Sequence, residues 1–146
     1  MRFIKLGVGD NGRSKVVEVR DIDRAMGTGP TIDTLWSTRR FPPELPVPRR
    51  TSDSGLLDFD LRQETTKWLI VTFPADFALP EHRTDSLTYV VVLAGDAVLE
   101  LEVEEIKLDV GDSVLFPGVM HGWRFGATGC TISSVSFPLS PLDSNS

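Results

Sequence analysis

Of the 146 residues only one is cysteine and only two are histidine. A lone Cys130 excludes an internal disulfide and a paired-cysteine zinc knuckle, and its place in an alternating strand pattern makes it a small core residue. Basic charge is also short: 15 Lys and Arg against 21 Asp and Glu leave a formal net charge of −6. With no cationic field to gather phosphates, neither nucleic acid nor an anionic membrane surface is expected as a partner. The longest apolar run, YVVVLAG, falls far short of the ~20 residues that cross a bilayer, and MRFIKLGVGDNGRSK has no apolar signal core. A cytoplasmic protein is expected. The chain has no glycine-rich nucleotide loop, no Ser/His/Asp set and no internal repeat.

What is present is a 40% hydrophobic content over a length that suits one domain with a real core. Two textures divide it. Residues 1–62 mix short apolar stretches, KVVEV (15–19) and IDTLW (32–36), with breakers, above all FPPELPVPRR (41–50). Prolines at that density remove backbone donors and fix φ, so this stretch is an extended surface connection, an arm or a lid. Residues 63–140 predict a β-barrel or sandwich built from TTKWLIVTF (65–73), SLTYVVVLA (86–94), AVLELEV (97–103), IKLDV (106–110), SVLF (113–116), HGWRF (121–125) and TISSVSF (131–137). Residues 141–146 are expected to be a disordered tail.

Within AVLELEV, Leu99, Leu101 and Val103 form an apolar face, while Val98, Glu100, Glu102 and Glu104 form a solvated one. Glu104 and Glu105 are the expected tip of a hairpin into IKLDV. Gly95-Asp96 and Gly111-Asp112 both read as turns between strands.

Both histidines stand beside β runs, His82 before SLTYVVVLA and His121 at the head of HGWRF after a turn at Gly118. Period two along the first segment points His82, Thr84, Ser86 and Thr88 into one space, and Arg83, Asp85 and Tyr89 away from it. A plain core has little use for such a polar stripe. The alternative from periodicity alone is that each histidine is a partly exposed loop residue bonded to backbone.

The segments HRTDSLTY (82–89) and GDSVLFPGVMHGW (111–123) resemble the cupin superfamily, within it a group of small single-domain cupins. GDNGRSKVV, TLWST (34–38) and FPADFALPEHRTD extend that likeness over nearly the whole chain. The resemblance implies an all-β, single-domain cupin, a double-stranded β-helix or jelly-roll barrel with an extended N-terminal arm packed on the barrel or on a dimer partner. In many cupins the barrel mouth holds a divalent metal. Its four usual ligand positions fall here on His82, Thr84, Thr88 and His121, so only two strong ligands remain. The implied cofactor is none, or a weakly held Zn, Fe, Mn or Ni ion on His82 and His121.

Without a metal, the expected function is that of a small-molecule enzyme: a cyclase, dehydratase, isomerase or decarboxylase acting on a carbonyl, polyketide or aromatic substrate by histidine acid–base chemistry. His121 is the first catalytic candidate and His82 the second. Thr84, Ser86, Thr88, Trp123, Trp68 and Ile70 are the expected substrate-binding residues, with Thr72 beside the last two. A metal-dependent dioxygenase with a reduced two-histidine site and a non-catalytic ligand-binding barrel are the alternatives. The expected partners are a small-molecule ligand and a second copy in a homodimer, formed through the exposed edge at KVVEV.

Overall fold

A computed structural model of the chain describes residues 1–22, 28, 30–37, 66–84 and 86–138. The proline-rich run 41–50, Asp85 and the tail 141–146 lie outside the described residues. Eight strands are formed: β1 (Arg2–Val8), β2 (Ser14–Asp21), β3 (Lys67–Phe73), β4 (Ala78–His82), β5 (Ser86–Glu100), β6 (Glu105–Leu108), β7 (Ser113–Pro117) and β8 (His121–Pro138). They hydrogen-bond in the order β2-β1-β7-β5-β8-β3, with β4 added to β8 and β6 added to β5.

The two longest strands organise this arrangement. β5 and β8 run antiparallel from the Ser86–Pro138 pair to the Glu100–Gly122 pair. The first part of β5 also pairs β7, and its last part pairs β6. Correspondingly, the start of β8 pairs β4 and its end pairs β3. One strand pair thus belongs to two sheet halves, whose inner faces close on a common core. Val90 and Val92 from one half and Leu99, Trp123 and Phe125 from the other lie in the same buried cluster. This is the jelly-roll arrangement expected from the sequence, and all described regular structure is β.

The bend between the halves sits where β5 carries register shifts, between Val92 and Ala94 and between Gly95 and Ala97. Gly95 has φ +75°, and a Cβ placed on it would lie 2.0 Å from the carbonyl oxygen of Gly129, itself at φ +72°. The Gly95-Asp96 turn expected from the sequence is therefore a bulge in a continuous strand. Glycine at positive φ serves either purpose, and only the pairing with β8 distinguishes them. For the same reason the segments expected at 86–94 and 97–103 are one strand, as are those at 121–125 and 131–137. Gly111-Asp112 does form the expected turn, with Gly111 at φ +87°.

Two further differences are local. β4 was not among the expected strands because it contains Pro80; among the described strands it pairs only with β8, and an edge strand tolerates a missing donor. The hairpin after β5 reverses earlier than Glu104-Glu105, since the Leu101 amide donates to the Glu104 carbonyl at 2.8 Å. Val103 therefore sits on the reversal, 46% exposed, and not on the apolar face.

The glutamates of that hairpin do more than meet water. Glu102 accepts the Ser14 amide at 2.8 Å, its own amide donates to the Ser14 hydroxyl at 2.9 Å, and Glu104 accepts the Val16 amide at 2.9 Å. Amides of β2 are thereby satisfied, which blunts that strand against edge-to-edge pairing. At the other end of β1, buried Asp112 accepts the Arg2 amide at 2.9 Å and the Asp109 amide at 2.9 Å, and pairs with the Arg2 guanidinium at 2.6 Å. Burial alone would raise the Asp112 pKa, but the Arg2 guanidinium and the two amides outweigh it and hold the carboxyl below the usual range.

The bulge gives a direct test. Gly95→Ala introduces a methyl group against the Gly129 carbonyl as well as left-handed strain, and is expected to lower unfolding free energy by at least about 2 kcal/mol. Urea denaturation followed by tryptophan fluorescence measures this, and an unchanged midpoint would contradict the bulge geometry.

Candidate functional site: an imidazole pair in the barrel

His82 ends β4 and His121 begins β8, and the two are register partners across that strand pair. Gly118 at φ +74° lets the chain reverse between β7 and β8, which brings the His121 ring to 4.6 Å from the Phe116 ring. The two imidazole centroids are 4.4 Å apart, with their planes inclined at 59°. Residues 39 positions apart in the sequence thus meet inside the barrel, on the wall of a cavity of about 80 Å³.

Each ring is held by the backbone two residues before it. His82 Nδ1 lies 2.9 Å from the Pro80 carbonyl oxygen, and His121 Nδ1 lies 2.8 Å from that of Val119. A carbonyl oxygen only accepts, so in each neutral ring Nδ1 carries the proton and Nε2 keeps its lone pair. Bonding to backbone, the bland alternative for these histidines, is therefore present, yet it orients both rings toward the cavity they line.

Their surroundings differ. His121 is buried at 6% exposure, and burial, followed by the neighbouring His82, pushes its pKa down to about 3 against a smaller upward effect of the Val119 carbonyl. It is neutral near pH 7. His82 is only half-buried and stays in contact with solvent. Trp123 meets His121 edge-on with centroids 6.3 Å apart and stacks on Phe125 at 5.8 Å, supplying the aromatic wall expected of it.

Thr84 and Thr88 also line the cavity, as period two predicts. Ser86 is buried and reaches it only through Thr88: the two hydroxyls are 2.9 Å apart, and Thr88 is 3.1 Å from the Ser136 hydroxyl. Ser134 and Ser136 join this polar wall, although the sequence reading did not single them out. The signal was the alternation in TISSVSF, which sets Ile132, Ser134 and Ser136 on one face; serine in a strand is more readily read as outward-facing.

Trp68, Ile70 and Thr72 do not line the site. Trp68 is 78% exposed and Ile70 62%, while Thr72 bonds the Thr131 hydroxyl on the outer surface at 3.0 Å. The parity of β3 is opposite to that expected, and Leu69, Val71 and Phe73 face the cavity instead. An indole is usually inward, but here its N–H donates to Ser133 on the neighbouring strand at 3.0 Å. Tyr89 points away from the cavity and is partly buried: its ring packs 6.0 Å from Trp36 and 5.5 Å from Phe137.

The four residues that the sequence resemblance put at ligand positions, His82, Thr84, Thr88 and His121, border one cavity. Among the described residues, however, no three His, Cys, Asp or Glu side chains stand close enough together to hold an ion. Two imidazoles and hydroxyls bring no negative charge to offset a divalent ion, so this donor set does not fit a tightly held metal.

The buried neutral imidazole has a consequence for stability. Below its ordinary pKa of 6.5, His121 takes a proton in the unfolded chain but not in the folded one, down to about pH 3. Stability is therefore lost as pH falls through this window, by up to about 1.4 kcal/mol per pH unit, and the loss is absent in His121→Gln. Parallel stability-versus-pH curves for the two proteins would show that His121 is charged inside the fold.

No protein-family model and no curated protein matches this chain. Among solved structures, it is similar to the Schizosaccharomyces pombe Cnp3 cupin domain (TM-score 0.47, 12% identity, 50% of this chain and 52% of that one), so that it spans about half of that protein's length. An RmlC-like cupin from Desulfovibrio desulfuricans matches at TM-score 0.45 and 25% identity, over 53% of this chain and 76% of that one. KdgF from a Halomonas species matches at TM-score 0.44 and 24% identity, over 50% and 71%. Each of these similarities extends over about half of this chain.

Proposed function

We propose that the chain is a small-molecule cupin enzyme that moves a proton on a compact carbonyl compound held between the imidazole pair and the hydroxyl wall. The observation that carries this reading is the meeting of two rings, 4.4 Å apart, whose Nδ1–H groups are tied to backbone and whose Nε2 lone pairs remain for a ligand. Isomerisation and dehydration need such a base and no electron acceptor.

The surroundings divide the roles differently from the order suggested by the sequence. A group that stays neutral down to about pH 3 is a weak base, so His121 suits the part of a fixed acceptor that orients an O–H of the ligand. His82, half-buried, can take a proton from the ligand on Nε2, return it to a neighbouring atom, and exchange it with water. The hydroxyls of Thr88 and Ser136 provide donors for the carbonyl oxygen. Roughly 10–15 Å³ of such volume per water means that about 80 Å³ admits about half a dozen non-hydrogen atoms, which suits a compact substrate better than a polyketide or an aromatic acid.

The test is deuterium incorporation. Small ketones and hydroxyketones are incubated with the protein in deuterated buffer and followed by proton NMR. The protein is expected to accelerate α-carbon exchange of at least one compound, His82→Ala to reduce that acceleration by roughly two to four orders of magnitude, and dialysis against a chelator to leave it unchanged. Full activity in the His82→Ala, His121→Ala double variant would eliminate acid–base catalysis by the pair. A ligand that binds without exchange would identify a binding barrel, and loss of exchange on chelation a metal enzyme.

A further inference from the structure

The polar lining of the cavity contains no described Lys, Arg, Asp or Glu; it consists of His82, His121, Thr84, Thr88, Ser134 and Ser136. An ionised ligand group would therefore enter a partly open cavity walled by Phe116, Trp123 and aliphatic side chains, with no charged side chain among the described lining residues to meet it, an unfavourable transfer. The formal net charge of −6 on the chain disfavours anions further.

The hydrogen-bonding capacity of the cavity is also lopsided. With each Nδ1–H committed to a carbonyl, the imidazole end presents two acceptors and no donor. The opposite requirement falls on the hydroxyls. Ser86, Thr88 and Ser136 form a chain with two contacts, 2.9 and 3.1 Å, so their three protons satisfy both bonds and leave one to donate elsewhere.

We infer that the ligand of this cavity is an uncharged compound of about half a dozen non-hydrogen atoms that carries both an O–H or N–H donor and a carbonyl or hydroxyl acceptor, as a hydroxyketone, enol or carboxamide does. The donor meets Nε2 of His121 or His82, the acceptor meets the hydroxyl chain, and the hydrocarbon part rests on Val71, Val90 and Ile132. Carboxylates, phosphates and ammonium ions are disfavoured because no Lys, Arg, Asp or Glu stands among the described lining residues. This inference rests on the proposed function only in taking the cavity as the ligand site.

Four probes of nearly equal size separate the requirements: propionamide (neutral, with donor and acceptor), butanone (neutral, acceptor only), propionate (anion) and propylammonium (cation). Each is titrated into the full-length protein at neutral pH while the imidazole carbon-bound protons are followed by NMR. Propionamide is expected to bind at least roughly tenfold more tightly than any of the other three, and to lose that advantage in His82→Ala and, independently, in Thr88→Val. Propionate or propylammonium binding as tightly as propionamide, with loss in either variant, would overturn the ligand class while leaving the cavity as the site. Equal binding of butanone would overturn the donor requirement. If no probe at high millimolar concentration moves either imidazole, both this inference and the proposed function fall.

Discussion

The β5–β8 pairing is the constraint on which the rest of the molecule depends. Because this one ladder runs through both halves of the sheet, the start of β8 places His121 beside β4 while its far end places Ser134 and Ser136 on the same inner wall. The ladder can turn the corner only because Gly95 and Gly129 approach each other where neither has room for a side chain. Straightening that corner would separate the histidines from the hydroxyls. The same backbone irregularity thus serves packing, by closing the core, and chemistry, by closing the site.

Electrostatically the site is the reverse of a salt-bridge pocket. The ionic contacts of the described residues lie on the outside or at strand ends: Arg2 with Asp112, Arg20 with Asp33, and Arg124 with Glu100 and Glu105. Arg20 also holds the N-terminal arm, bonding the Thr34 and Leu35 carbonyls while lying 5.2 Å over the Phe3 ring. The described polar residues that line the cavity, by contrast, are only His, Thr and Ser. An interior of this kind discriminates by the number and direction of donors more than by charge, since each unmatched polar group costs more than a matched one contributes.

Much of this was legible in the sequence. Short β segments with turn residues between them gave the all-β class, and period two put His82, Thr84 and Thr88 on the cavity wall, with Ser86 buried beside Thr88 but not lining it. Trp123 was placed by its distance of two residues from His121. The failures have common physical causes. A glycine at positive φ marks a bulge and a turn alike, so Gly95 was misread, whereas Gly111, in the same dipeptide, was not. β3 offered apolar residues of both parities, and Trp68 and Ile70 were expected inward although Leu69, Val71 and Phe73 face the cavity. Ser134 and Ser136 escaped because a hydroxyl in a strand carries no sign of which face is wet until its partner, here Thr88, is known.

The central claim is that both imidazoles are fixed as Nδ1–H tautomers with Nε2 directed at a ligand. Long-range proton–nitrogen correlation spectra of histidine-labelled protein at neutral pH address it without knowledge of any substrate. The account predicts, for both residues, a pyrrole-type Nδ1 and a pyridine-type Nε2. Finding the proton on Nε2 of either ring, or both rings fully charged, would contradict it.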